Sequence, residues 1–139
     1  MFATASTQAQ PVWRSGGPVA ALGFFTELRA NPWQKCINRL IGLLQLEEDW
    51  DGEGSSPPDP QNVSTALRWA HMASLRGSLP PPTQVVPGGA GELQLVWLIG
   101  AVRNIADFSE PGKVHWLVTY PDRAPTHWVD AVAPPVQVT

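Results

Sequence analysis

Half of the chain's twelve acidic residues, Glu47, Glu48, Asp49, Asp51, Glu53 and Asp59, stand close together with no Lys or Arg between them. Carboxylates gathered in this way can hold a hard cation, brace a turn by accepting backbone N–H groups, or meet a basic partner. Asp49, Asp51, Glu53 and Gly54 fall at the first, third, fifth and sixth places of a helix-flanked calcium loop. The ninth and twelfth places are Pro57 and Pro60, and the twelfth must be a bidentate Glu. The calcium template therefore fails, and an irregular metal site is the form of that reading that survives. The turn reading has Trp50 anchoring the loop to the core. Gly52 and Gly54 supply left-handed backbone, and Asp51 accepts from loop N–H groups.

The other reactive residue types are scattered. His71, His115 and His127 do not pair with each other or with Cys at zinc-ligand spacing. His115 precedes Trp116 and so faces the opposite side of its strand, toward solvent. There it could pair with Asp107 of the neighbouring strand as a general acid–base couple. Ser55 and Ser56 lie in Gly-Ser-Ser-Pro, which is not a nucleophile elbow. Cys36 lies mid-helix beside an apolar stripe and reads as an inert buried thiol. Gly88-Gly89-Ala90-Gly91 lacks the Gly-Lys-Ser/Thr ending of a phosphate loop and reads as a hairpin turn. No catalytic residue, metal ligand or cofactor follows from these patterns.

The elements that must hold the acidic segment are legible on either side of it. Upstream, Asn31 is placed to cap a helix with Pro32 in its first turn. Trp33, Ile37, Leu40, Ile41 and Leu44 would then form the apolar face, and the helix would end near Leu46. Downstream, Asp59-Pro60 repeats the cap-plus-proline device. Val63, Ala66, Leu67 and Ala70 form a buried stripe widened by Trp69 and Met72, and Gly77 stops the helix. An earlier stretch, Val19 to Ala30, reads as a third, shorter helix.

After Leu79-Pro80-Pro81-Pro82, an extended connector, the periodicity changes to two. Thr83–Val86, Leu93–Ile99, Ala101–Phe108 and Val114–Tyr120 read as strands, and His127–Val132 is a candidate edge strand. Trp97 and Trp116, with Leu93, Leu95, Val114 and Val118, are expected to pack under the helices. The alternative for these tryptophans is an exposed platform that stacks bases or a sugar. Only Arg103 and Lys113 supply positive charge there, which disfavours nucleic acid. The expected architecture is α+β: two or three helices on one face of a small antiparallel meander of three to four strands. Residues 1–18 would form an arm, 19–132 one domain and 133–139 a tail.

Composition sets further bounds. With 139 residues and 43% hydrophobic content, a single domain can bury a core. Charged residues are 15%, against about 25% in an average soluble domain. The net charge of −3 is concentrated in the acidic segment, with no basic stripe to follow a phosphate backbone. Cys36 is the only cysteine, so no internal disulfide can form. Met1 to Gln10 has no secretory pattern, and the longest apolar runs are too short to span a membrane. The expectation is a cytoplasmic protein.

Trp50-Asp51-Gly52-Glu53-Gly54-Ser55, a proline-started helix, Leu79-Pro80-Pro81-Pro82 and then a glycine-rich turn before Leu93-Gln94-Leu95-Val96-Trp97 form an ordered set. It resembles a group of small bacterial proteins that share a Trp-Asp-Gly-x-Gly-Ala-like motif, a Leu-Pro-x-Pro step and a Leu-x-Trp hairpin. The likeness spans roughly residues 46–120, with Ser55 where the group has Ala. It implies the same layout and a bacterial or phage origin, and it transfers no activity or catalytic residue. The functional expectation is a non-catalytic accessory or inhibitory protein that binds a protein partner through Glu48, Asp49, Asp51 and Glu53, with Trp50 as anchor. A small metal-dependent hydrolase using the acidic loop, and a structural subunit of a larger assembly, are the competing expectations.

Overall fold

The structure, a computed structural model, describes residues 31–133. The arm expected at 1–18, the helix at 19–30 and nearly all of the tail lie outside the described residues. Two helices, α1 (Gln34–Leu43) and α2 (Pro60–Arg76), precede five strands. These are β1 (Gln84–Pro87), β2 (Leu93–Ile99), β3 (Val102–Phe108), β4 (Lys113–Thr119) and β5 (Thr126–Ala131). The strands form one antiparallel meander in chain order. The sheet thus has five strands, not three to four. Both short outer candidates pair, because the strong middle strands offer each of them a complete edge.

Helix α2 begins and ends as its sequence dictates. The Asp59 carboxylate accepts the Gln61 N–H at 2.8 Å, Pro60 occupies the first turn, and Gly77 closes the helix at φ 67°. Helix α1 departs from expectation at both ends. Asn31 Oδ1 accepts the Trp33 N–H at 2.8 Å, but this caps a turn, and the helix proper starts at Gln34. At the other end it stops at Leu43, in a tighter final turn that carries the chain to Leu46.

The buried face of α1 is also rotated from the expected one. Trp33, Cys36, Leu40 and Leu43 are buried, whereas Ile41 and Leu44 are each 47% exposed. Both sets satisfy helical spacing, so hydrophobicity alone did not choose between them. Trp33 belongs to both sets: its ring packs edge-on to Trp69 of α2 at 5.9 Å and its indole N–H donates to the Leu79 carbonyl, and what distinguishes the observed face is that Cys36 and Leu43 enter the core. Met72, expected to widen the α2 stripe, is exposed.

One face of the sheet carries Leu93, Leu95, Trp97, Ala106, Phe108 and Val114, and these join the buried residues of α1 and α2 in one core. Trp69 lies at its centre, with ring centroids 5.6–6.2 Å from Trp97, Phe108 and Trp116. Trp97 is 2% exposed, so it is core, not a stacking platform. Trp116 is half-buried and Trp128, stacked on it at 5.9 Å, is 44% exposed. The proline run has no N–H to pair, but its carbonyls are used: Trp97 Nε1 donates to Pro80 O at 2.9 Å. No helix among the described residues is long and apolar enough to cross a membrane.

Candidate functional site

The acidic segment, residues 47–59, links α1 to α2 and folds into a compact turn. Asp49 adopts left-handed backbone at φ 62°, and Gly52 and Gly54 do so at 78° and 82°, as their positions in the sequence imply. The Asp49 N–H donates to Ser55 O at 2.8 Å, and Gly52 N–H donates back to Asp49 O. Two carboxylates are turned into this turn. Asp49 Oδ1 accepts the Gly54 N–H at 2.6 Å, and Asp51 Oδ1 accepts the N–H groups of Glu53 and Ser55. The Ser55 hydroxyl donates to Asp51 Oδ2. These hydrogen bonds, that from the Ser55 hydroxyl first, hold the Asp51 carboxyl below its ordinary range.

Trp50 anchors differently from expectation. Its indole N–H donates to Ser56 O at 2.9 Å, and the ring is half-buried and outside the central core. It therefore closes the turn upon itself. The attachment to the body comes from the residues that follow. Ser56 N–H donates to Gly89 O, Asp59 N–H donates to Gly91 O at 2.8 Å, and Asn62 Nδ2 donates to the same Gly91 carbonyl. The glycine-rich turn between β1 and β2 is thus a hairpin turn, as expected, and also the seat of the acidic loop. It is braced in turn by Glu92, whose carboxylate accepts the Ala90 N–H. The sequence signal for this docking was weak: two loops rich in Gly, Ser and Pro with no residue type that demands a distant partner.

Of the five residues expected to meet a partner, Asp49 and Asp51 are committed to the loop's own backbone and Trp50 to its closure. Glu48 and Glu53 are exposed, as is Glu47. The four carboxylates do not converge on a common point, and among the described residues no group of three or more His, Cys, Asp or Glu is placed to hold a metal ion.

The histidines resolve differently from the expected couple. His115 and Asp107 are register partners across β4 and β3, as their positions require. Yet His115 Nε2 lies 2.9 Å from Glu110 Oε2, and Asp107 accepts from Gln94 at 3.3 Å. The tight turn before β4 folds Glu110 back over the strand, so it outcompetes the cross-strand carboxylate. Hydrogen bonding to His115, then the charge of Lys113, holds the Glu110 carboxyl below its usual range. The His115 ring stacks on His127 of β5 at 6.1 Å. His71 is exposed on α2, and no contact joins it to this pair among the described residues.

Cys36 faces the core, and burial raises its thiol to about 11, partly offset by the Arg39 charge. It borders a shallow cleft of about 150 Å³ between α1 and the chain from Pro81 to Val85, with Lys35 and Arg39 on its rim. A thiol so protonated is a poor nucleophile. Against known proteins, no family model, no curated protein and no solved structure matches the chain.

Proposed function

We propose that the chain is a non-catalytic interaction module whose acidic turn receives a basic surface of a protein partner. The observation that carries this reading is the use of Asp49 and Asp51 as internal acceptors for Glu53, Gly54 and Ser55. A turn held by its own carboxylates is ordered before it binds, and less conformational freedom is lost on association. Glu47, Glu48 and Glu53 then project from a defined frame, where like-signed charges speed encounter with a cationic partner and reject anionic ones. The bacterial or phage origin implied by the ordered motifs suits a small accessory or inhibitory protein of this kind.

The test is affinity capture from the source organism with the wild-type chain and with a Glu48→Lys, Glu53→Lys variant. Neither side chain supports the loop, so the thermal midpoint should stay within about 2 °C. Capture of the partner should fall by at least about tenfold, and more steeply at low salt. Undiminished capture by the variant would show that the turn is structural only.

A further inference from the structure

Among the described residues, the outer edge of β5 is bare in a way that the opposite edge of the sheet is not. All six residues from Thr126 to Ala131 are exposed. None is Pro or Lys, the residues that commonly blunt an edge strand. Strand β1, by contrast, is four residues long, ends in Pro87 and has α1 against it. Trp128 and Val129 are 44% and 45% exposed and lie on opposite faces of β5, one beside the other.

The direction of the free backbone groups follows from the register. Val132 N–H donates to Gly112 O at 2.8 Å, one step beyond the last ladder pair, Lys113 with Ala131. Close pairs alternate along an antiparallel ladder. Thr126, Trp128 and Asp130 therefore turn their N–H and C=O groups toward β4. His127, Val129 and Ala131 turn theirs outward, and among the described residues no strand pairs with them.

We propose that β5 pairs antiparallel with β5 of a second copy of this chain, about a two-fold axis at Val129. This register sets Val129 opposite Val129 of the partner subunit, and His127 opposite the partner's Ala131. All three outward-facing residues then find N–H and C=O partners. On the helix-bearing face, Trp128 stands opposite the partner's Asp130, an indole donor against a carboxylate acceptor. No like charges meet. Of the two neighbouring two-fold registers, that centred on Trp128 leaves Ala131 facing the partner's Pro125, which has no N–H to give, and that centred on Asp130 sets the Asp130 carboxylate opposite that of the partner's Asp130. The product is a continuous ten-stranded sheet. It leaves the acidic turn, on the loop between the helices, outside the pairing, so this association stands or falls separately from the acidic-turn reading.

Sedimentation velocity of the full chain between about 10 µM and about 1 mM tests it, a range suited to a short ladder with little other buried area. The mass should rise from 15.1 kDa toward twice that value. Val129→Pro removes an outward N–H that no described residue of the monomer accepts, so the melt should be retained while self-association weakens at least about tenfold. V129K, which sets like charges together at the axis, should do the same without altering the backbone. Under mild oxidation V129C should form an intermolecular disulfide and W128C should not, since only the former faces its own copy. A wild-type chain that stays monomeric to about 1 mM overturns the proposal. So does a dimer that V129P and V129K leave intact, or one that W128C traps in place of V129C.

Discussion

Trp69 of α2 stands edge-on to Trp116 of β4, with ring centroids 5.6 Å apart and planes at 65°. It touches Trp33, Trp97 and Phe108 in similar fashion. One side chain thus joins both helices to three strands. Aromatic pairs in this geometry add to the burial term. Trp69→Ala should cost about 3 kcal/mol in urea denaturation and flatten the near-UV circular dichroism.

The rotated face of α1 can be checked by neighbours in sequence. Leu40 is fully buried and Ile41 is 47% exposed. Leu40→Ala should therefore destabilise by about 3 kcal/mol, and Ile41→Ala by about 0.5 kcal/mol or less. Equal losses at the two positions would contradict the packing described.

At Asp59 the side chain caps α2 while the main chain holds the acidic loop to Gly91. Asp59→Ala removes only the first of these. A loss of about 1 kcal/mol is expected, and Asp59→Asn should recover most of it. The amide exchange of residue 59 itself should change little.

The acidic turn should loosen in acid by a mechanism that can be assigned. Asp51 has its carboxyl held below the ordinary 3.8 by the Ser55 hydroxyl and by backbone N–H groups. Its contribution is fully present above 3.8 and is lost as the pH falls through the lower folded value. The amide resonances of Glu53 and Ser55 should shift together below about pH 4, and D51N should abolish that shift.

Cys36 should resist thiol reagents in the native state. Its pKa of about 11 leaves little thiolate at pH 8, and burial restricts access. Reaction with a disulfide reagent should be slow in buffer and complete within minutes in denaturant. Rapid labelling of the folded chain would show that α1 opens readily.

Local chemistry alone specified much of this molecule. At Asp59-Pro60 the carboxylate cap and the fixed proline φ are properties of those two residues, and the helix starts there as they imply. Glycine at 52 and 54 and alternation from Leu93 to Trp97 and from Val114 to Val118 are likewise local, and they set the turn and the central strands. The acidic loop and Asp51 as an internal acceptor were legible for the same reason, whereas the matching role of Asp49 came only with the structure. The structure alone decided matters in which two distant segments compete for one partner. Ile41 and Leu44 fit a helical stripe with Trp33 as well as Cys36 and Leu43 do, and tertiary packing put the latter pair in the core. Glu110 and Asp107 were both near His115, and the fold of one turn selected the former. Trp50 was expected to anchor in the core, and its indole N–H instead donates to the Ser56 carbonyl within the turn. Whether a marginal strand pairs depends on the edge beside it, so β1 and β5 owe their pairing to the edges of β2 and β4.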